Sequence, residues 1–268
     1  MDTAQSQLLS NITIHDRVAR VYEARHGEIF NDIEQGRLRA ALAQALALVR
    51  SGSLTTTALD FGCGSGNLSG HLLQLGAAVI ACDVSPRFLE LVTRRFDGLP
   101  VRTHRLNGEN LAEIPSDSVD FVGAYSVLHH IPDYLGALEE MTRVCRPGGV
   151  ISLDHEHSPA YWARDAVYSQ FVQEATRVDW RKFCVWQNYV GKLRRFFNPR
   201  YANEGDIHVW PDDHIEWRYI EALLNNAGCE IVRVEDYLLY RRIYRSEIYD
   251  RYQDRCVDQR LLVARKRI

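Results

Sequence analysis

Glycines occupy every second position in Asp60-Phe61-Gly62-Cys63-Gly64-Ser65-Gly66, directly after the short apolar run that begins at Thr57. Glycine accepts positive φ and carries no Cβ, so this stretch can turn sharply and bring bare backbone against a ligand. A second acid, Asp83, closes the next apolar run, Ala78 to Cys82, 21 positions after Gly62. A carboxylate at that strand end can accept hydrogen bonds from both hydroxyls of a ribose. Together the two features point to a ligand that contains adenosine. A nicotinamide or flavin fingerprint would place glycine at position 67, which is Asn67. Each feature also has a plain structural alternative: Asp60 as a helix-dipole partner, Asp83 as a charge at a helix start, and the glycines as turn residues.

A second set of residues has the chemistry of proton transfer. His155-Glu156-His157 come after the apolar run Val150 to Leu153, and Asp206-Ile207-His208 and Asp212-Asp213-His214 come later. An imidazole or carboxylate with a pKa near neutral can take the proton of a hydroxyl acceptor. His155, His157 and His208 are the candidates for that role, with a surface histidine as the alternative for each.

The elements that must hold these groups are read from periodicity. Asn31 reads as the N-cap of a helix whose Leu38, Leu42, Leu46 and Val49 share a face, with Gly52 as its stop. Short strands are expected at Thr57 to Phe61, Ala78 to Cys82, Val101 to Leu106, Val119 to Ala124 and Val150 to Leu153, separated by helices. Ser85-Pro86 is an N-cap with a first-turn proline, and a further helix spans about Pro132 to Cys145. That alternation predicts a mostly parallel α/β sheet covered on both faces. The rhythm stops after Asp154. Four of the five tryptophans (Trp162, Trp180, Trp186 and Trp210) lie between there and Asp213. A helix over His214 to Ala227 and strands over Cys229 to Tyr240 and Gln259 to Lys266 complete the chain, with a polar connection between the last two.

The segment from about 55 to 155 resembles the class I S-adenosylmethionine-dependent methyltransferases, of the small-molecule type. An acid precedes G-x-G-x-G at Asp60 to Gly66. Asn107-Gly108-Glu109-Asn110-Leu111 and Pro115 to Val122 are similar to the family's run into its fourth strand. Tyr125-Ser126-Val127-Leu128-His129-His130-Ile131 is similar to the segment after that strand, and Arg143 to Gly149 to the turn before strand five. The resemblance implies a Rossmann-like seven-stranded sheet of order 3-2-1-4-5-7-6, with an antiparallel last strand. It implies S-adenosyl-L-methionine as cofactor, with Asp60, Gly62, Cys63, Gly64 and Gly66 at the methionine end and Asp83 on the ribose. Val84, Asn107 and Gly108 would meet the adenine, and Tyr125 would close the far side. Asn107 departs from the usual aspartate but can still accept through its amide oxygen. The His129-His130 pair would mostly pack beside the loop.

The resemblance also implies one domain over 1–268, with a helical lid at 1–52 and an inserted acceptor cap at 156–213. In the lid, Tyr22, Arg25 and His26 would face cofactor or acceptor, with surface packing as the alternative. His155 is the first choice of base, because strand five ends facing the transferable methyl. His155, His157, His208 and Asp212 have ligand types for a metal, and some sugar methyltransferases use Mg²⁺, but spacing fixes no geometry and no metal is assigned. The expected reaction is methylation of a small molecule, most simply at oxygen, in secondary-metabolite or glycan biosynthesis. The alternatives are an RNA or protein methyltransferase and a non-catalytic partner protein that binds the cofactor.

Composition narrows these choices. The formal charge of −3 and pI near 6.4 lack the basic footprint of a general nucleic-acid binder. Clusters at Arg194, Arg195, Arg200 and at Arg241, Arg242, Arg245 would suit a phosphorylated or glycosylated acceptor, or are solvated surface. No apolar run approaches the roughly 18 residues of a membrane span, and Met1 to Ser10 has no basic start of a signal peptide. Six cysteines without a C-x-x-C pair favour a reducing, cytoplasmic setting.

Overall fold

A computed structural model of the chain describes residues 13, 22–50, 52, 54–108, 110–163, 165–177, 208 and 212–268. Glu109, Trp180, Cys184, Trp186, Arg194, Arg195, Arg200, Asp206, Ile207 and Trp210, the side chain of Arg25, and most of the expected lid before Tyr22 lie outside the described residues.

Seven strands form one sheet: β1 (Thr57–Phe61), β2 (Ala78–Asp83), β3 (Val101–Arg105), β4 (Val119–Tyr125), β5 (Cys145–His157), β6 (Cys229–Tyr237) and β7 (Gln259–Lys266). Their spatial order is β3-β2-β1-β4-β5-β7-β6, as expected. The first five run parallel, and β7 enters antiparallel between β5 and β6. Among the described residues the α-helices are α1 (Tyr22–Arg25), α2 (Asp32–Leu46), α3 (Asn67–Gln74), α4 (Pro86–Arg95), α5 (Tyr134–Val144), α6 (Pro159–Trp162), α7 (Ala166–Ala175), α8 (Trp217–Asn226) and α9 (Ser246–Tyr252).

Caps begin several helices. Asn31 Oδ1 accepts the Glu34 amide at 3.0 Å to start α2, and Ser85 Oγ accepts the Phe88 amide at 3.2 Å to start α4. Such caps are each worth about 1 kcal/mol. Every residue of β4 is buried, as a central parallel strand covered on both faces requires. One core packs α5 and α8 on one face, around Leu138, Met141, Ile151 and Ile220. The other packs α2, α3 and α4 on the opposite face, around Leu42, Leu72, Val92 and Phe121.

Two elements differ from expectation. Strand β5 runs to His157, past Leu153 and across the expected start of the cap. Its pairing with β7 slips between Leu153 and Glu156, the mark of a bulge, and His155 there has φ +63°. The connection after β6, read from the sequence only as polar, contains α9. Its Tyr249 and Tyr252 join Phe171, Leu238 and Tyr244 in a third small core, so the aromatic residues there are structural.

Candidate active site at the strand exits

The parallel strands end along one edge, where open α/β sheets place their ligands. At the β1 exit the three loop glycines have φ of +71° (Gly62), +49° (Gly64) and +86° (Gly66). A Cβ on Gly62 would stand 2.7 Å from both γ-carbons of Val127, and one on Gly66 would stand 2.7 Å from Phe96. A Cβ on Gly64 would meet nothing within 4 Å. Gly62 and Gly66 are therefore needed for packing as well as for backbone shape, whereas Gly64 presents bare backbone to open space.

That space is a cavity of about 620 Å³, the size of a small-molecule site. It is lined by Tyr22, Asp60, Gly62, Cys63, Gly64, Asp83, Val84, Asn107, Gly108 and Tyr125, together with Phe30, Phe88, Val127 and His130 among others. Gly66 lies outside the lining and sits at the N-cap of α3. Phe30 and Phe88 were not anticipated from the sequence. Phe88 could have been, since it comes just after Ser85-Pro86 in the first turn of a helix that starts at the strand exit.

The two acids are tied to the glycine loop and its flanking turns. Asp83 accepts the Gly64 amide at Oδ2 (2.9 Å) and the Ser85 amide at Oδ1 (2.8 Å). Each carboxylate oxygen has a second acceptor site, so ribose hydroxyls can still be taken. Asp60 Oδ2 accepts both the amide (2.8 Å) and the hydroxyl (2.6 Å) of Ser69 in the first turn of α3. Burial outweighs those bonds and raises the Asp60 pKa to about 7. Asn107 Oδ1 accepts the Asn110 amide at 2.9 Å, closing its own turn. Above the loop, Glu23 of α1 pairs with Arg95, and Tyr22 meets Phe88 edge-on at 5.3 Å. These contacts hold α1 against the cavity rim.

The β4 and β5 exits are built from side chains. Asp154 accepts the His155 amide (2.7 Å) and the Tyr237 hydroxyl (3.0 Å) at Oδ1, and Arg37 of α2 donates to Oδ2 (3.1 Å). Arg37 also pairs with buried Glu34 (2.9 Å) and lies 3.8 Å over the Tyr237 ring. Glu156 Oε1 accepts the amides of Val127 (2.9 Å) and Leu128 (2.7 Å), and His129 Nδ1 lies 2.8 Å from its Oε2. His208 Nε2 is 3.6 Å from the same oxygen.

The three candidate bases fall into two places, all outside the cavity lining. His155 packs on Tyr125, with ring centres 4.9 Å apart. His157 and His208 lie together at 5.0 Å, His157 stacked on Tyr161 at 3.8 Å and His208 on His129 at 4.7 Å. Burial lowers all three pKa values: well below normal for His155 and His208, and to about 3 for His157. Such imidazoles are neutral at pH 7 but weak proton acceptors.

Residues 59–153 match the family model described as a methyltransferase domain. The ubiquinone biosynthesis O-methyltransferase of Xanthomonas oryzae pv. oryzae is 32% identical over 119 residues, 42% of this chain and 49% of that one. The chain thus spans about half the length of the curated relatives it matches. Among solved structures, a chain in the complex of the Haloferax volcanii Trm112 methyltransferase activator superposes with TM-score 0.58 at 17% identity, covering 95% of this chain and 98% of that one. The S-adenosylmethionine-dependent methyltransferase of Mesorhizobium loti gives 0.56 at 17% identity, covering 85% and 98%. At such identities the structural likeness speaks to fold. Residues 59–153 thus form a methyltransferase domain, and the strand order and glycine loop around it are those the resemblance to the class I S-adenosylmethionine-dependent methyltransferases led us to expect.

Proposed function

We propose that this protein transfers the methyl group of S-adenosylmethionine to an oxygen of a small-molecule acceptor. The observation that carries the reading is the cavity itself, which gathers bare Gly64 backbone, both acids, Asn107 and Tyr125 around one adenosine-sized space. Asp83 would hold the ribose, Val84, Asn107 and Gly108 the adenine, and Asp60, Gly62, Cys63 and Gly64 the methionine end. When bound, the cofactor supplies a methyl carbon activated by its sulfonium. The protein's part is alignment, which can supply much of the rate of an in-line displacement.

Tyr22 and α1 serve as the described part of a lid, and α6, which follows β5, as the described start of a cap over the acceptor. Tyr161 and Trp162 of α6, with ring centres 4.9 Å apart, lie outside the cavity lining but have the aromatic character that suits an organic acceptor, and Arg241 and Arg242 suit one carrying phosphate or sugar. Among the described residues no helix is long and apolar enough to cross a membrane. The five described cysteines are free and buried, which supports a cytoplasmic setting.

Calorimetric titration with S-adenosylmethionine, S-adenosylhomocysteine and NAD tests the cofactor end. We expect the first two to bind in preference to NAD. Asp83→Ala should weaken both by at least roughly 100-fold, since it removes two charge-assisted bonds worth about 1.5–3 kcal/mol each. Preference for NAD, or undiminished binding by the variant, would sink this reading.

A further inference from the structure

Three ligand-type atoms meet at the β4 and β5 exits: His129 Nδ1, Glu156 Oε2 and His208 Nε2 all lie within 4.8 Å of one another. They come from three separate places in the chain: the turn after β4, the last residues of β5 and the segment before α8. We propose that these three side chains bind a divalent transition-metal ion of the zinc class, which takes the acceptor's oxygen on an open coordination position. The first half stands on this geometry; the second rests on the methyl transfer proposed above.

The carboxylate is already aimed. Val127 and Leu128 amides hold Glu156 Oε1, which leaves Oε2 facing the two imidazoles. Glu156 is 1% exposed and His208 5% exposed, so a carboxylate buried there is costly without a cation beside it. His157 at 5.0 Å and Trp162 at 6.3 Å pack against the His208 ring and fix its plane. Metal bonds of about 2.0–2.2 Å would close the set with small side-chain rotations. His129 Nδ1 would exchange its proton for the ion, as any ligating imidazole must.

The donors choose the metal. Two imidazoles and one carboxylate suit zinc, cobalt or iron(II), whereas Mg²⁺ prefers oxygen ligands throughout. Three protein ligands leave a fourth position open, the arrangement of catalytic rather than structural zinc. Val127 and His130, on either side of this turn, line the cavity, so the ion would stand beside the transferable methyl. An acceptor hydroxyl bound to it would lose its proton to water more readily and present its oxygen as the nucleophile.

The test uses full-length protein stripped with a chelator. Co²⁺ would be titrated as a visible-absorption probe, with displacement by Zn²⁺ afterwards. We expect one equivalent of Co²⁺ with d–d bands of a low-coordinate N/O site, bleached by Zn²⁺. His208→Ala and Glu156→Gln should each weaken binding at least about 100-fold, and His104→Gln on β3 should leave it unchanged. Thermal midpoints of the metal-free variants check that they fold. No stoichiometric Co²⁺ binding, or binding that survives both substitutions, would overturn the metal site. S-adenosylhomocysteine titration of the same stripped protein separates the two readings. If S-adenosylhomocysteine binds but Co²⁺ never does, only the metal site falls; if Co²⁺ binds but S-adenosylhomocysteine does not, the metal site stands while the methyl-transfer reading falls, and with it the ion's part in that reaction.

Discussion

The two halves of the site edge solve one backbone problem in opposite ways. At the β1 exit, positive φ falls on Gly62, Gly64 and Gly66, where it costs nothing sterically. At the β4 and β5 exits it falls on Ser126 and His155, which have side chains. A non-glycine residue there costs about 1–2 kcal/mol and persists only when its surroundings hold it. They do: the Ser126 amide bonds to the Asp154 carbonyl at 2.9 Å, and the His155 amide to the Asp154 carboxylate at 2.7 Å. The glycine side is a cradle of backbone. The histidine side is a strained turn pinned by buried charge, and strain of that kind gathers where a chain positions chemistry.

The most damaging test of this contrast is Asp154→Ala. It removes the pin from His155, the acceptor of the Tyr237 hydroxyl and one of the two carboxylates on Arg37. Breaking a buried pair while its partner stays buried costs about 3–5 kcal/mol. Chemical denaturation should show that loss. If stability falls by less than about 1 kcal/mol, the network is not what holds the turn.

On the glycine side, Gly62 and Gly64 should part company. Gly62→Ala combines an unfavourable φ with a 2.7 Å approach to Val127, for a cost of about 3 kcal/mol visible as a lowered thermal midpoint. Gly64→Ala meets nothing within 4 Å, so its stability cost stays near 1 kcal/mol, while affinity for S-adenosylhomocysteine drops. Equal thermal losses from the two would erase the distinction between a packing glycine and a binding one.

Much of the first half is legible in the sequence because its geometry is local. Alternating glycines, an acid ending the next strand and apolar runs at a regular rhythm are short-range signals; they yield the parallel strands and the glycine loop, and they carry the family resemblance that implied the strand order and the residues of the cavity. The second half is assembled from residues far apart. Arg37 reaches Asp154 across 117 positions, and His208 joins Glu156 and His129 only after the chain folds. Period-2 patterning also hides a bulge. His155 lies within the slip in the β5–β7 register and Glu156 at its far end, so the side each residue faces cannot be counted from Val150. Helix α9 was hidden for another reason: its tyrosines read as polar, yet Tyr249 and Tyr252 are buried in a small core that depends on α7.

The last expected effect is a pH dependence that belongs to the glycine side alone. Burial raises the Asp60 pKa from 3.8 to about 7. The folded protein therefore holds this proton more tightly than the unfolded chain does. That contribution to stability is complete below about pH 4 and fades as pH rises through 7. A cationic methionine end has the opposite preference, since it favours the carboxylate. Affinity should thus climb between about pH 5.5 and 7, by up to tenfold or about 1.4 kcal/mol per unit, and level off above. At pH 6 binding should release a proton, measured by calorimetry in buffers of different ionisation enthalpy. Asp60→Asn keeps an oxygen for Ser69 but has no proton to lose, so its profile should be flat. A wild-type profile equally flat would mean that Asp60 serves the helix start at Ser69 and never meets the ligand's charge.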